Sequence, residues 1–123
     1  MRFLSRLNTM PTLYHNPRCS KSREALALLQ TNGCDPDIVL YLETPPTAKQ
    51  LKQLLATLGI SARQLLRKTE DAYKELHLDD EKLSEAALIK AMVTNPKLIE
   101  RPIFINGDKA VIGRPPENVL QII

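Results

Sequence analysis

Apolar and polar residues follow one another along this chain with a spacing that changes repeatedly, and each change marks an element. Thr12 to Tyr14 is a short β-prone run that ends in the polar turn Asn16-Pro17. Ala25, Leu26, Leu28 and Leu29 then recur at helical intervals. The pattern predicts a strand, a loop and a helix from about Ser20 to Asn32, with Gly33 as its left-handed stop. Beyond the turn Asp35-Pro36-Asp37, the run Ile38-Val39-Leu40-Tyr41-Leu42 is too short for a helix and too continuous for a half-exposed strand, so it predicts a buried strand. Strand, helix and strand in this order give a parallel pair with a right-handed crossover.

Helical spacing dominates from residue 44 to residue 100. Thr47-x-x-Gln50 has the form of a capping box ahead of Leu51, Leu54, Leu55 and Leu58, and Gly59 stops that helix. Ser61-x-x-Gln64 opens a short helix carrying Leu65 and Leu66. Glu70 to Leu76 adds a turn or two, and Ser84 opens an amphipathic helix that ends before Pro96. The chain then returns to strands at Pro102 to Ile105 and Lys109 to Ile112, joined by the turn Asn106-Gly107-Asp108. Pro115-Pro116-Glu117 starts a last helix. The order β-α-β, helices, β-β-α predicts an α/β fold, a thioredoxin-like mixed sheet with an inserted helical segment.

Composition narrows the class of function. With 123 residues, no Trp and only 4% aromatics, the chain predicts one domain with an aliphatic core. A net charge of +3 suits a small anionic substrate. No dense Lys/Arg stripe with interleaved aromatics is present, which argues against a nucleic-acid partner. Residues 1–10 hold Arg2 and Arg6 among scattered apolar positions, not the continuous apolar run of a signal peptide. They read as a leader outside the fold, which spans residues 11–123. Nothing reaches membrane-spanning length, so the expected location is cytoplasmic with no membrane association.

The candidate chemistry centres on Tyr14-His15-Asn16-Pro17-Arg18-Cys19-Ser20-Lys21-Ser22-Arg23. Cys19 falls where the loop becomes a helix. There the first N–H groups lack intrahelical partners and the helix dipole is positive, and both favour a nucleophilic thiolate. Arg18, Lys21, Arg23 and His15 add positive charge nearby. Cys19-Ser20-Lys21-Ser22 has the frame of a Cys-x-x-Cys redox motif, yet Ser22 cannot close a disulfide. Its hydroxyl can donate to the thiolate or a bound anion, or it can cap the helix. The other cysteine, Cys34, lies beyond the far end of a helix roughly 20 Å long. A disulfide needs Cα atoms within about 7 Å, so Cys19 is expected to be resolved by an outside thiol. His15 and His77 stand apart from any ligand cluster, and no metal site is expected.

Arg67, Arg101 and Arg114 each stand at the edge of an element. Taken singly, each reads as a surface charge or a helix-end cation as readily as a ligand-binding group. Arg101 and Arg114 flank one hairpin, however, and in a thioredoxin-like sheet the proline opening that strand faces the cysteine loop. Guanidinium forks around a thiolate would suit a tetrahedral oxyanion.

The cysteine segment, together with Leu40-Tyr41-Leu42-Glu43-Thr44-Pro45-Pro46, Leu65-Leu66-Arg67-Lys68, Glu100-Arg101-Pro102-Ile103 and Gly113-Arg114-Pro115-Pro116, resembles the glutaredoxin-coupled arsenate reductases over about residues 12 to 121. The resemblance implies that Cys19 attacks arsenate, that Arg67, Arg101 and Arg114 bind the oxyanion and its reduced adduct, and that His15 helps keep the thiol ionised. It also implies glutathione as co-substrate, no bound cofactor, glutaredoxin as partner, and a cis bond before Pro102. Ser20-Lys21 stands where the best-known members carry Gly-Thr, a variant similar to a chromosomal branch. Two alternatives share the scaffold: Spx-type transcriptional regulators that contact RNA polymerase, and thiol oxidoreductases acting on glutathionylated proteins. The regulators typically carry a second cysteine where Ser22 stands and lack an arginine matching Arg114.

Overall fold

A computed structural model of the chain describes residues 10–123, so the leader expected over residues 1–10 lies outside the described residues except for Met10. The described chain divides into two compact units. One is built from the two ends of the sequence, up to Tyr41 and from Arg101 onward, and the other from Leu42–Glu100 between them.

The first unit holds a four-stranded sheet. Its strands are β1 (Thr12–Tyr14), β2 (Asp37–Val39), β3 (Ile103–Asn106) and β4 (Lys109–Ile112), in spatial order β2-β1-β3-β4. β1 runs parallel to β2 and antiparallel to β3, and β4 completes a hairpin, so the sheet is mixed as expected. Tyr14 pairs with Ile103, and Ile103 pairs with Ile112. Asn106 pairs with Lys109, which leaves Gly107-Asp108 as a two-residue loop; Gly107 takes φ +66°, a conformation that glycine adopts at no steric cost.

Helix α1 (Ser20–Thr31) joins the two parallel strands, and Gly33 follows it at φ +84°. Its buried Ala25 and Leu29 pack with Leu13 and Phe104 of the sheet and with Val119 of the C-terminal segment. That segment is a 3-10 helix over Pro116–Ile122, not the α-helix the proline-rich start suggests. The Asn118 N–H donates to the Pro115 carbonyl three residues back, the tighter closure that defines this conformation.

The strand over Ile38–Leu42 needs a larger correction. β2 ends at Val39 and lies at the edge of the sheet, leaving Ile38 42% and Leu40 36% exposed. A run of β-branched and aliphatic residues reports strand propensity, whereas burial on both faces depends on pairing with strands far away in sequence. Only Tyr41 is buried, its ring stacked on Tyr14 with centroids 6.4 Å apart.

The second unit is helical: α2 (Ala48–Leu58), α3 (Ala62–Leu65), α4 (Asp71–Glu75), α5 (Glu85–Thr94) and a 3-10 turn over Pro96–Leu98. The capping boxes Thr47/Gln50 and Ser61/Gln64 are both formed, with each serine or threonine oxygen accepting the glutamine N–H and each glutamine side chain accepting the N–H of the cap. Gly59 ends α2 at φ +71°, and the Ser84 hydroxyl caps α5. Leu51, Leu54, Leu55, Leu65, Leu88 and Met92 are buried, giving the aliphatic core that the composition predicts. Among the described residues no helix is long and apolar enough to cross a membrane.

Candidate active site

The C-terminal end of β1 feeds directly into the cysteine loop. Asn16 folds that loop by three contacts. Its side-chain oxygen accepts the Arg18 N–H at 3.0 Å, its carbonyl accepts the Cys19 N–H at 3.0 Å, and its own N–H donates to Ser22 Oγ at 3.0 Å. The Arg23 guanidinium then reaches back to the Pro17 carbonyl at 2.9 Å. A six-residue stretch is thereby tied to the first turn of α1, and Cys19 is left as the N-cap residue. Its side chain makes no capping hydrogen bond, and the first turn contains no acid that would offset the positive end of the helix. The thiol is free and half-buried.

His15 and Ser22 form the buried side of this loop. His15 is 6% exposed and Ser22 is fully buried, and His15 Nδ1 lies 2.6 Å from Ser22 Oγ. The same serine oxygen accepts the Asn16 N–H, so one hydroxyl links the imidazole to the backbone of the loop. Burial, and then the nearby Arg23 charge, hold the imidazole pKa below its ordinary value. The contacts of Ser22 Oγ with Asn16 and His15 lie inside the loop and help to shape it.

Two of the basic neighbours are also engaged. Lys21 pairs with Glu24 at 3.6 Å on the exposed face of α1, and Arg23 is the residue holding Pro17. Cys34 follows the far end of α1, where its N–H donates to the Leu29 carbonyl at 2.8 Å and its side chain packs against the core. Burial, and then the Asp35 charge, raise its pKa, so this thiol resists ionisation.

The sheet register decides where the arginines emerge. The row Tyr14, Ile103, Ile112 is followed by His15, Pro102 and Gly113, and the Gly113 N–H donates to the Pro102 carbonyl at 2.8 Å. Arg101, before Pro102, and Arg114, after Gly113, therefore leave the sheet at the end from which the cysteine loop springs. The Arg101-Pro102 bond is cis as expected, and Arg114-Pro115 is cis as well, which nothing in the sequence reading anticipates. Arg114 is exposed, while the Nε and Nη1 atoms of Arg101 are buried. Cys19, His15, Ser22, Arg101 and Arg114 thus all lie toward one end of the sheet in the first unit.

Arg67 belongs to the second unit. It lies just after α3, where Leu66 bridges to Ile99 and the Arg67 N–H donates to the Leu98 carbonyl at 2.8 Å. Its guanidinium is held by the carboxylates of Glu70, at 2.5 Å, and Glu100, at 3.5 Å. No group of three or more potential metal ligands occurs among the described residues. Sequence reasoning missed Asn16 and Gly113. The signal for Asn16 was present, since Asn followed by Pro favours a side-chain-closed turn, whereas Gly113 acts through a contact across the sheet that no local pattern encodes.

Known proteins are similar to this chain in sequence and in fold. YfgD, an uncharacterised protein of Escherichia coli strain K12, is 63% identical over 112 residues, 90% of this chain and 94% of its own length. A Haemophilus influenzae protein called arsenate reductase is 53% identical over 112 residues, covering 90% of this chain and 97% of that one. The solved structure of an arsenate reductase from Vibrio cholerae superposes with a TM-score of 0.91 at 50% identity, over 94% of this chain and 98% of that one. The fold is thioredoxin-like, and the inserted helices fall within the region these relatives share. The ArsC family model matches residues 14–122, from the last residue of β1 to the last of the C-terminal 3-10 helix, so that the cysteine loop and all three arginines lie inside the match: the chain belongs to the ArsC family.

Proposed function

We propose that this protein reduces arsenate to arsenite with electrons from glutathione and glutaredoxin. The observation that carries the reading is Cys19, a free thiol at the N-cap of α1, at the same end of the sheet as Arg101 and Arg114. The names of its relatives supply the substrate.

In the proposed sequence the Cys19 thiolate forms a sulfur–arsenic bond while an arsenic–oxygen bond breaks, the oxygen leaving as water. Glutathione displaces a second oxygen in the same way. A glutaredoxin thiolate then attacks the glutathione sulfur: the sulfur–sulfur bond forms, the arsenic–sulfur bond breaks, and its electron pair stays on arsenic, which passes from As(V) to As(III). Water frees arsenite from Cys19. The sum converts one arsenate and two thiols into arsenite, a mixed disulfide and water.

Attack of a thiolate on an anion is unfavourable unless fixed cations offset the charge, and that is the part assigned to Arg101 and Arg114. His15 and Ser22 hold the loop that presents Cys19. Arg67 is assigned to the oxyanion by family resemblance alone, and to serve there its guanidinium must be shared with Glu70 and Glu100. Ser22 in place of a second thiol, and Arg114 before the last helix, favour turnover over the regulator alternative.

The test is arsenite release by the full chain with arsenate, glutathione and glutaredoxin, omitting each in turn. Release should need all of them, vanish in Cys19→Ser and persist nearly unchanged in Cys34→Ser. An active Cys19→Ser enzyme, or no arsenite under any combination, would refute the assignment.

A further inference from the structure

Asn118 has no part in the chemistry above, yet it fixes the exit of β4. From the first turn of the C-terminal 3-10 helix its amide nitrogen donates to two main-chain carbonyls, that of Ile112 at 3.3 Å and that of Arg114 at 3.2 Å. Those two carbonyls bracket Gly113-Arg114. Within the bracket, the Arg114 N–H donates to the Ile112 carbonyl at 2.9 Å, and on the sheet side the Gly113 N–H donates to the Pro102 carbonyl at 2.8 Å. Both acceptors of the Asn118 side chain are carbonyl oxygens, so only its NH2 end can face them, and chemistry fixes the orientation of the amide. The Arg114 main chain is thus clamped between Pro102 on one side and Asn118 on the other.

We propose that Asn118 is a positioning residue for Arg114, holding the main chain from which that guanidinium reaches the oxyanion; the inference rests on the arsenate reading above. The physical reason is preorganisation. Arg114 has an exposed side chain on a long flexible stem, and fixing its backbone removes part of the search that binding would otherwise have to restrict. A plain helix-capping role is not open to Asn118, because the N-cap position belongs to Pro115.

The experiment is a double-mutant cycle on the full-length protein: Asn118→Ala and Asn118→Asp, each alone and combined with Arg114→Ala. The readouts are the arsenate concentration that half-protects Cys19 from alkylation, which requires no turnover, and the split between KM and kcat. Asn118→Ala should raise the half-protecting concentration roughly threefold to tenfold and raise KM more than it lowers kcat. Asn118→Asp should be worse, because a carboxylate would face two carbonyls. Alkylation without arsenate should be unchanged, and neither substitution should weaken protection further once Arg114 is Ala. Should the Asp variant fail to fold, the Ala cycle decides alone. Protection weakened by Arg114→Ala but untouched by Asn118→Ala, or full additivity of the two, overturns this inference alone; protection unaffected by Arg114→Ala overturns the oxyanion reading and this inference with it.

Discussion

His15 is a titratable group placed where protonation is resisted. It is buried, its Nδ1 faces the Ser22 hydroxyl, and the Arg23 charge lies nearby, so its folded pKa is below the ordinary value. In the unfolded chain the same ring takes up a proton near pH 6.5. Below that pH the unfolded state binds more protons than the folded one, so stability falls as pH drops from about 6.5 toward the lower folded value, and this contribution is constant beyond it. Thermal melts of wild type and His15→Asn at pH 7.5, 6.5 and 5.5 should show the wild type losing more stability over that interval. Parallel curves would mean that His15 contributes nothing to the pH dependence. At this scale much of the site was legible, because Cys19, His15 and Ser22 lie within eight residues and local chemistry alone marks them. The commitment of the Ser22 hydroxyl was not legible, since its acceptors and donors are set by how tightly the loop turns.

Among elements, the sharpest constraint lies where β3, β4 and the C-terminal 3-10 helix meet. A Cβ at position 113 would stand 2.8 Å from Pro102 Cγ and 3.1 Å from Val119 Cγ1. Pro102 is a ring on a buried strand start and Val119 is a core residue, so neither yields cheaply. Gly113→Ala should therefore cost about 1–3 kcal/mol by overpacking, read as a lower midpoint in urea with an unchanged slope. An unchanged midpoint would show that the junction has slack. The helical elements were read well from sequence, because capping boxes and left-handed glycines are local signals, and Thr47, Ser61, Gly33 and Gly59 all act as their neighbours foretell. The edge position of β2 and the 3-10 form of the last helix were not, because one depends on which distant strand pairs with β1 and the other on a difference of one residue in hydrogen-bond closure.

For the molecule as a whole, the sheet gathers at one end residues that sequence keeps far apart. Arg101 and Arg114 come to that end only because Tyr14 pairs with Ile103 and Ile103 with Ile112. If they offset charge at Cys19, Arg101→Ala and Arg114→Ala should each lower arsenate turnover by at least roughly tenfold, about 1.4 kcal/mol of transition-state stabilisation. The Lys variants should recover only part, since lysine keeps the charge but loses the fork. Turnover like that of wild type in either Ala variant would remove that arginine from the site.

The division of the sequence also sets an order of events. The two ends of the chain make the sheet and the middle makes the helical unit. Synthesis runs toward the C-terminus, so Cys19 leaves the ribosome before the whole of Leu42–Glu100, and β3 and β4 follow that unit. The nascent chain carries this thiol before the helical unit is made, but β1 can find only β2 until residue 103 has been added. Arg114 and Asn118 follow β4 in turn. The nucleophile is made a whole helical unit before its proposed anion cradle, so a chain that stops short of Arg101 carries the cysteine without either of those arginines.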